Sequence, residues 1–211
     1  MTRWVNLLLG DNTDAYGRAA AAPGVLGGST AADLPGCFGG TGATWDVTAE
    51  RTPAGIAAES GLPEPLDTVA LAPVRGGYVP LRGPRVKRTL LLAVRPGTPV
   101  ALVGQLEADL MAMPEHISTI RSWSLSRVDQ TLTPSRWTHV WEQEYADVQG
   151  LTGEYLGHPF HWTCVDRWFD GEIPGAGIVE PRLVHVFRWS PEPVLTSRWG
   201  QDLGGEGRER R

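Results

Sequence analysis

Cysteine is scarce in this 211-residue chain: Cys37 and Cys164 are the only two, and no CxxC pair exists. That leaves no disulfide framework and no thiolate metal site, and both are expected to be free thiols. Basic excess is missing too. The net charge is −5, and no Lys/Arg cluster offers a surface for nucleic acid or an anionic membrane. No apolar run reaches the roughly 18 residues of a membrane-spanning helix. The opening "MTRWVNLLLGDN" has one early arginine and a short apolar run, without the longer core and small-residue cleavage site of a secretion signal. The expected location is cytoplasmic. No GxSxG elbow is present. "GGTGAT" (39–44) is glycine-rich but precedes no helix start, which excludes a phosphate-cradling nucleotide loop.

What the chain does have is concentrated in its second half. Seven of nine tryptophans and all five histidines lie at or beyond residue 116. There the pattern is clear. "RVKRTLLLAV" (85–94) reads as a strand. Thr98 is placed as an N-cap with Pro99 at the first helical position. Val103, Leu106, Leu110 and Met113 form one apolar helix face, and Pro114 is expected to end that helix. "ISTIRSWSLSRV" (117–128) reads as a strand. So does "WTHVWEQEY" (137–145), in which Trp137, His139, Trp141, Gln143 and Tyr145 share a face by period two. Residues 148–170 read as helical, broken at Gly157-His158-Pro159, and "RLVHVFRW" (182–189) closes the unit. The order β-α-β-β-α-β is that of a ferredoxin-like unit.

The first half reads as a weaker copy, with strands at 3–10, 23–29, 43–50 and 66–74 and short helices at 13–22 and 52–60. Residues 75–85 would link the copies. The predicted fold is α+β: two tandem ferredoxin-like units whose sheets close into an intramolecular α/β barrel. The expected division is a degenerate unit at 1–83, a second unit at 84–196 and a polar, glycine-rich tail at 197–211. The space between the sheets would be the cavity.

"EYLGHPFHW" (154–162) places Tyr155, His158 and His161 three apart. Histidine suits proton transfer near neutral pH. Residues i and i+6 lie about 120° apart on an ideal helix, so the break at Pro159 must bring Tyr155 and His161 together. Catalysis, ligand contact without chemistry, and packing with His158 as a helix cap all remain open readings. His139 between Trp137 and Trp141 reads equally as pocket lining or core. A metal site is not expected: His158 and His161 have a usable spacing, but only His139 offers a third ligand.

Thr138-His139 on a strand, followed by Tyr155-x-x-His158-Pro159-x-His161 on a helix, resembles the stress-responsive dimeric α/β-barrel (Dabb) domain family over about residues 85–193. In a characterised relative, the plant olivetolic acid cyclase, a linear polyketide is closed by aldol condensation without metal or organic cofactor. The resemblance implies Tyr155 and His161 as a catalytic pair, with His139 reaching the same pocket. Trp137, Trp141, His158, Trp162, Arg88 and Arg188 would contact substrate. Lys87-Arg88 stand where the family often has a first-strand histidine. Arg188 stands where the cyclase has the aspartate that orients its histidine. The implied function is a cofactor-independent cyclase or isomerase acting on an apolar carbonyl-bearing or aromatic, polyketide-like molecule in bacterial secondary metabolism. The alternatives are a cofactor-independent monooxygenase and a stress-responsive binding or interaction protein without turnover. A homodimer is compatible with either class, and no nucleic-acid or membrane partner is expected.

Overall fold

The computed structural model of the chain describes residues 1–10, 13–19 and 22–196. The predicted tail at 197–211 lies outside the described residues. The elements are β1 (Thr2–Leu9), α1 (Thr13–Ala19), β2 (Val25–Ala32), β3 (Gly42–Ala49), α2 (Pro53–Glu59), β4 (Asp67–Tyr78), β5 (Arg85–Leu92), α3 (Val100–His116), β6 (Ser122–Val128), β7 (His139–Tyr145) and β8 (Val184–Ser190). Between β7 and β8 lie two π-helical stretches, Gly150–Tyr155 and His161–Val165, and a 3₁₀ turn, Asp166–Trp168. The order β-α-β-β-α-β thus occurs twice. Among the described residues no helix is long and apolar enough to cross a membrane.

All eight strands form one antiparallel sheet in the order β2-β3-β1-β4-β6-β7-β5-β8. Its two halves join at β4 and β6, where Leu71 to Tyr78 pair with Val128 to Ser122 around a bulge at Pro73–Arg75. The opposite seam, β2 against β8, brings the ends of the sheet together without a ladder. It is held by a bridge between Phe38 and His185, by Leu34 N–H donating to the Phe187 carbonyl, and by Arg188 donating to Ser29. The sheet is therefore a nearly closed barrel with one fully paired seam and one loosely paired seam.

Gly39 belongs to the loose seam. Its φ is +69°, and a Cβ there would overlap the Leu183 carbonyl oxygen. A side chain meets both a left-handed backbone and a backbone clash. Gly39→Ala is expected to destabilise the fold by about 1–3 kcal/mol, read as a lower urea midpoint with an unchanged m-value.

Period two sorts the side chains into an inner and an outer face. Outward residues of the second half-sheet, Val86, Leu90, Trp141, Tyr145 and Phe187, pack with Leu106, Leu110 and Met113 of α3 and with Tyr155 and Trp168. The first half-sheet packs Trp4, Leu8 and Trp45 against Tyr16 and Ile56. Inward residues from both halves form a third core of Val5, Leu7, Val69, Leu71, Leu91, Trp137, Val140, Val184 and Val186.

Towards the start of β1 and β5 the same inner space is ionic. Asp46 accepts from Lys87 at 2.8 Å and from Arg188 at 2.6 Å, and Arg3 lies 3.3 Å from it. Glu142 pairs with Arg3 and, at 2.8 Å, with Lys87. All five side chains are at most 4% exposed. The interior expected to be the ligand cavity is instead occupied by packed apolar groups and a buried ion network.

Other departures have local causes. α3 runs through Pro114 to His116, and Pro99 rather than Thr98 precedes it; the Thr98 hydroxyl bonds the Arg95 carbonyl instead. β4 continues to Tyr78 because β6 supplies partners for residues expected to be linker. Residues 117–121 form a turn before β6. Cross-strand pairing of Glu142 and Glu144 with Arg121 or Arg127 is not found. Glu142 takes Arg3 and Lys87, Glu144 accepts from the Val194 and Leu195 amides, and Arg127 binds Glu107.

Candidate active site

The helical segment after β7 covers the outer face of the second half-sheet. It departs from α-helical geometry twice, on either side of a break at His158-Pro159. π-helical turns often coincide with functional sites. His158 is half-buried and caps the second stretch, with its Nδ1 accepting from the Phe160 amide at 3.2 Å. The break brings the Tyr155 and His161 rings to a centroid separation of 4.6 Å, which an unbroken helix would prevent.

Beneath the pair lies a buried polar cluster on the sheet. The Arg88 guanidinium sits 4.9 Å from the centre of the Tyr155 ring. Its Nη1 donates to Gln143 Oε1 and its Nε to His185 Nε2, both at 2.6 Å. Tyr145 meets Tyr155 edge-on at 5.8 Å. Asp166 Oδ2 approaches His161 Nδ1 to 3.5 Å, at ion-pair distance but outside hydrogen-bond geometry.

Burial and the neighbouring Arg88 charge lower the pKa of His161 to about 4; the same causes, with His161 added, lower that of His185 to about 3. Both imidazoles are neutral at pH 7. Burial pushes the Tyr155 phenol up despite Arg88, so it keeps its proton. Asp166 is also pushed up by burial. The arrangement thus holds a neutral imidazole and a protonated phenol side by side over a fixed cation. Tyr155 is 1% exposed and the His161 side chain 13%, so the accessible edge belongs to the histidine.

Not every predicted residue joins them. His139 lies at the other end of β7, where its Nδ1 contacts Thr138 Oγ1 at 2.8 Å and its Nε2 contacts Glu107 Oε1 at 3.1 Å. Four residues separate it from Gln143, about 13 Å along a strand. Trp137 is not on the face of His139: it precedes β7, turns into the inner core and donates to Asp67 at 2.7 Å. Trp141 packs in the outer core against Trp123 at 5.5 Å. Trp162 is 58% exposed and donates to the Leu156 carbonyl at 2.6 Å. Arg188 points inward to Asp46 and Ser29, away from His161; the cation facing His161 is Arg88. Sequence reasoning missed Gln143, His185 and Asp166 as neighbours of the pair. Asp166 had one signal, an acid five residues after His161. Among the described residues no group of three or more His, Cys, Asp or Glu side chains could hold a metal ion.

An eight-stranded sheet of two ferredoxin-like halves, nearly closed and with helices on its outer face, is an α/β barrel. Residues 86–179 match the model of the stress responsive A/B barrel domain, Dabb. Among solved structures, the chain is similar to a candidate monooxygenase from Lactobacillus acidophilus: TM-score 0.54, 10% identity, 88% of this chain and 91% of that one. It is similar to an anthrone oxidase-like protein: TM-score 0.53, 10% identity, 93% and 96% coverage. A major regulator of staphylococcal pathogenesis aligns at TM-score 0.56 and 8% identity, over 92% and 100%. At such identities these matches show a shared fold, and their different names illustrate that the fold does not fix the activity. No curated protein matches the chain.

Proposed function

We propose that the second unit is a cofactor-independent enzyme that moves a proton on an apolar carbonyl-bearing or aromatic small molecule, as a cyclase or isomerase of polyketide-like substrates. The observation that supports this most directly is the contact of Tyr155 with His161 across the helix break, above Arg88. Neutral His161 takes the proton from a carbon next to the carbonyl. The Tyr155 hydroxyl donates to the oxygen that becomes the enolate, and Arg88 offsets the developing negative charge. Asp166 faces the imidazolium formed, which returns the proton to the product.

A second reading is favoured by the names of two fold neighbours, a candidate monooxygenase and an anthrone oxidase-like protein. The same deprotonation of an anthrone, or of an electron-rich phenol to a phenolate with carbanion character, would let the carbon be oxidised by dioxygen to a hydroperoxide, which loses water to leave one oxygen atom in a quinone product.

Deuterium exchange at the α-carbon of aryl ketones tests the first reading, and oxygen uptake with anthrone the second. His161→Ala and Tyr155→Phe are each expected to slow turnover by about 10²–10⁴. Turnover unchanged in both variants would remove the acid–base assignment. Saturable binding without exchange or oxygen uptake would make this a binding protein instead.

A further inference from the structure

β7 turns Trp141, Gln143 and Tyr145 to the outer face of the sheet, by period two. The packed residues on that face are mostly apolar or aromatic, yet Gln143 is an amide with 0% exposure. It stands directly opposite Arg88 of β5, and its Oε1 accepts from Arg88 Nη1 at 2.6 Å. A guanidinium has only donors, so the amide can meet it only through oxygen. That contact fixes the orientation of Gln143 and turns its NH2 away from Arg88.

The NH2 nitrogen is fully buried and has no hydrogen-bond partner. It lies beside the Tyr155 hydroxyl but outside hydrogen-bond geometry. Burial pushes the Tyr155 phenol up, and the Gln143 amide works the other way by favouring the oxygen's negative form. Tyr145, at the next outward position, meets Tyr155 edge-on, and its hydroxyl is also buried without a partner. Burial pushes the Tyr145 phenol well above its ordinary value, so it keeps its proton. Buried donors are nearly always bonded, and an unbonded one is costly. Two orphaned donors on one strand, both next to Tyr155, are what a site for a ligand oxygen requires. Packing alone gives no reason for a buried amide among these rings.

We propose that Gln143 Nε2 is a second donor to the enolate oxygen, so that this amide and the Tyr155 hydroxyl together form an oxyanion site. The assignment rests on the acid–base reading of Tyr155 and His161. Two donors aimed at that oxygen stabilise charge that develops only as the proton leaves carbon. They therefore act on kcat more than on KM.

Spectrophotometric titration of the full chain with 4-nitrophenol tests it. The anion of this probe carries its charge on one oxygen, as an enolate does, and absorbance separates phenol from phenolate. The phenolate is expected to bind at least about tenfold more tightly than the phenol. Gln143→Leu is expected to weaken the phenolate by about tenfold. It should also slow deuterium exchange of aryl ketones by about 10²–10³ in kcat with KM little changed. His161 should still titrate at about 4 by NMR in this variant, because His185 keeps its hold on Arg88 Nε. Gln143→Glu retains an acceptor for Arg88, so it is expected to keep the melting temperature and to bind phenolate no better than phenol. Phenolate affinity unchanged in both variants, or no phenolate binding by the wild type at millimolar concentration, would overturn the proposal. So would a His161 pKa that rises as affinity is lost, since Gln143 would then only hold Arg88 in place. Exchange lost in His161→Ala but kept in Gln143→Leu removes Gln143 alone. Exchange absent from the wild type overturns the acid–base reading itself, and the phenolate titration then supports or removes the anion site independently.

Discussion

Asp46→Ala is expected to remove about 3–5 kcal/mol of folding stability, a large part of the about 5–15 kcal/mol typical of a folded domain. The carboxylate is 2% exposed and touches Lys87, Arg188 and Arg3, which are 1–4% exposed. Without it, three cations remain in a space nearly closed to water, with Glu142 as the carboxylate paired to two of them. Burial disfavours the charged form of Asp46, but Lys87, Arg188 and Arg3 prevail and hold it well below the usual carboxylate range. A depressed folded-state pKa gives stability that is present above the unfolded value near 4 and lost as pH falls below it. Asp46→Asn keeps the shape and drops the charge, so it should lose nearly as much. Urea unfolding at pH 7 checks both; a loss under 1 kcal/mol in each would mean that the network does not hold the two half-sheets together.

Acid should weaken the fold well before the carboxylates titrate. His161 and His185 have folded-state pKa values lowered to about 4 and about 3. In the unfolded chain each takes a proton near pH 6.5. Between those values the unfolded state binds more protons, so stability rises with pH and falls as pH drops from about 6.5 towards 4. The slope is at most about 1.4 kcal/mol per pH unit for each histidine, and less for His161, which is partly open to solvent. Urea unfolding from pH 7.5 to 4.5 measures it, and a His161→Gln/His185→Gln variant should flatten the curve. The same depressed pKa keeps His161 able to accept a proton down to about pH 5, so a rate limited by it should hold over that range. A wild-type curve already flat between pH 6.5 and 4.5 would contradict buried neutral imidazoles.

Much of the fold was readable because its signals are local. The apolar, β-capable run "RVKRTLLL", the alternation in "HVWEQEY", the apolar face of α3, and the break at Gly157-His158-Pro159 each depend on residues close in the chain. The doubled β-α-β-β-α-β order follows from them. The face assignment of Trp137 failed because one irregular residue, Thr138, bonds back to Leu92 and Val94 and reverses the side on which the preceding tryptophan lies. The partners of Glu142 could not be read at all: Arg3 is 139 residues away, and nothing local distinguishes it from Arg121 or Arg127.

The sequence alone determined the element order and the likeness of the second half to a barrel domain, because both rest on patterns local to the chain; it marked the break between Tyr155 and His161, and the structure showed their rings in contact. Only the tertiary structure decided which side of the sheet that pair occupies, and that the cation beside it is Arg88 rather than Arg188. It also decided that the barrel interior is filled by apolar groups and a buried ion network. These depend on which distant strands become neighbours, and that is set by closure of the sheet as a whole rather than by any stretch of chain.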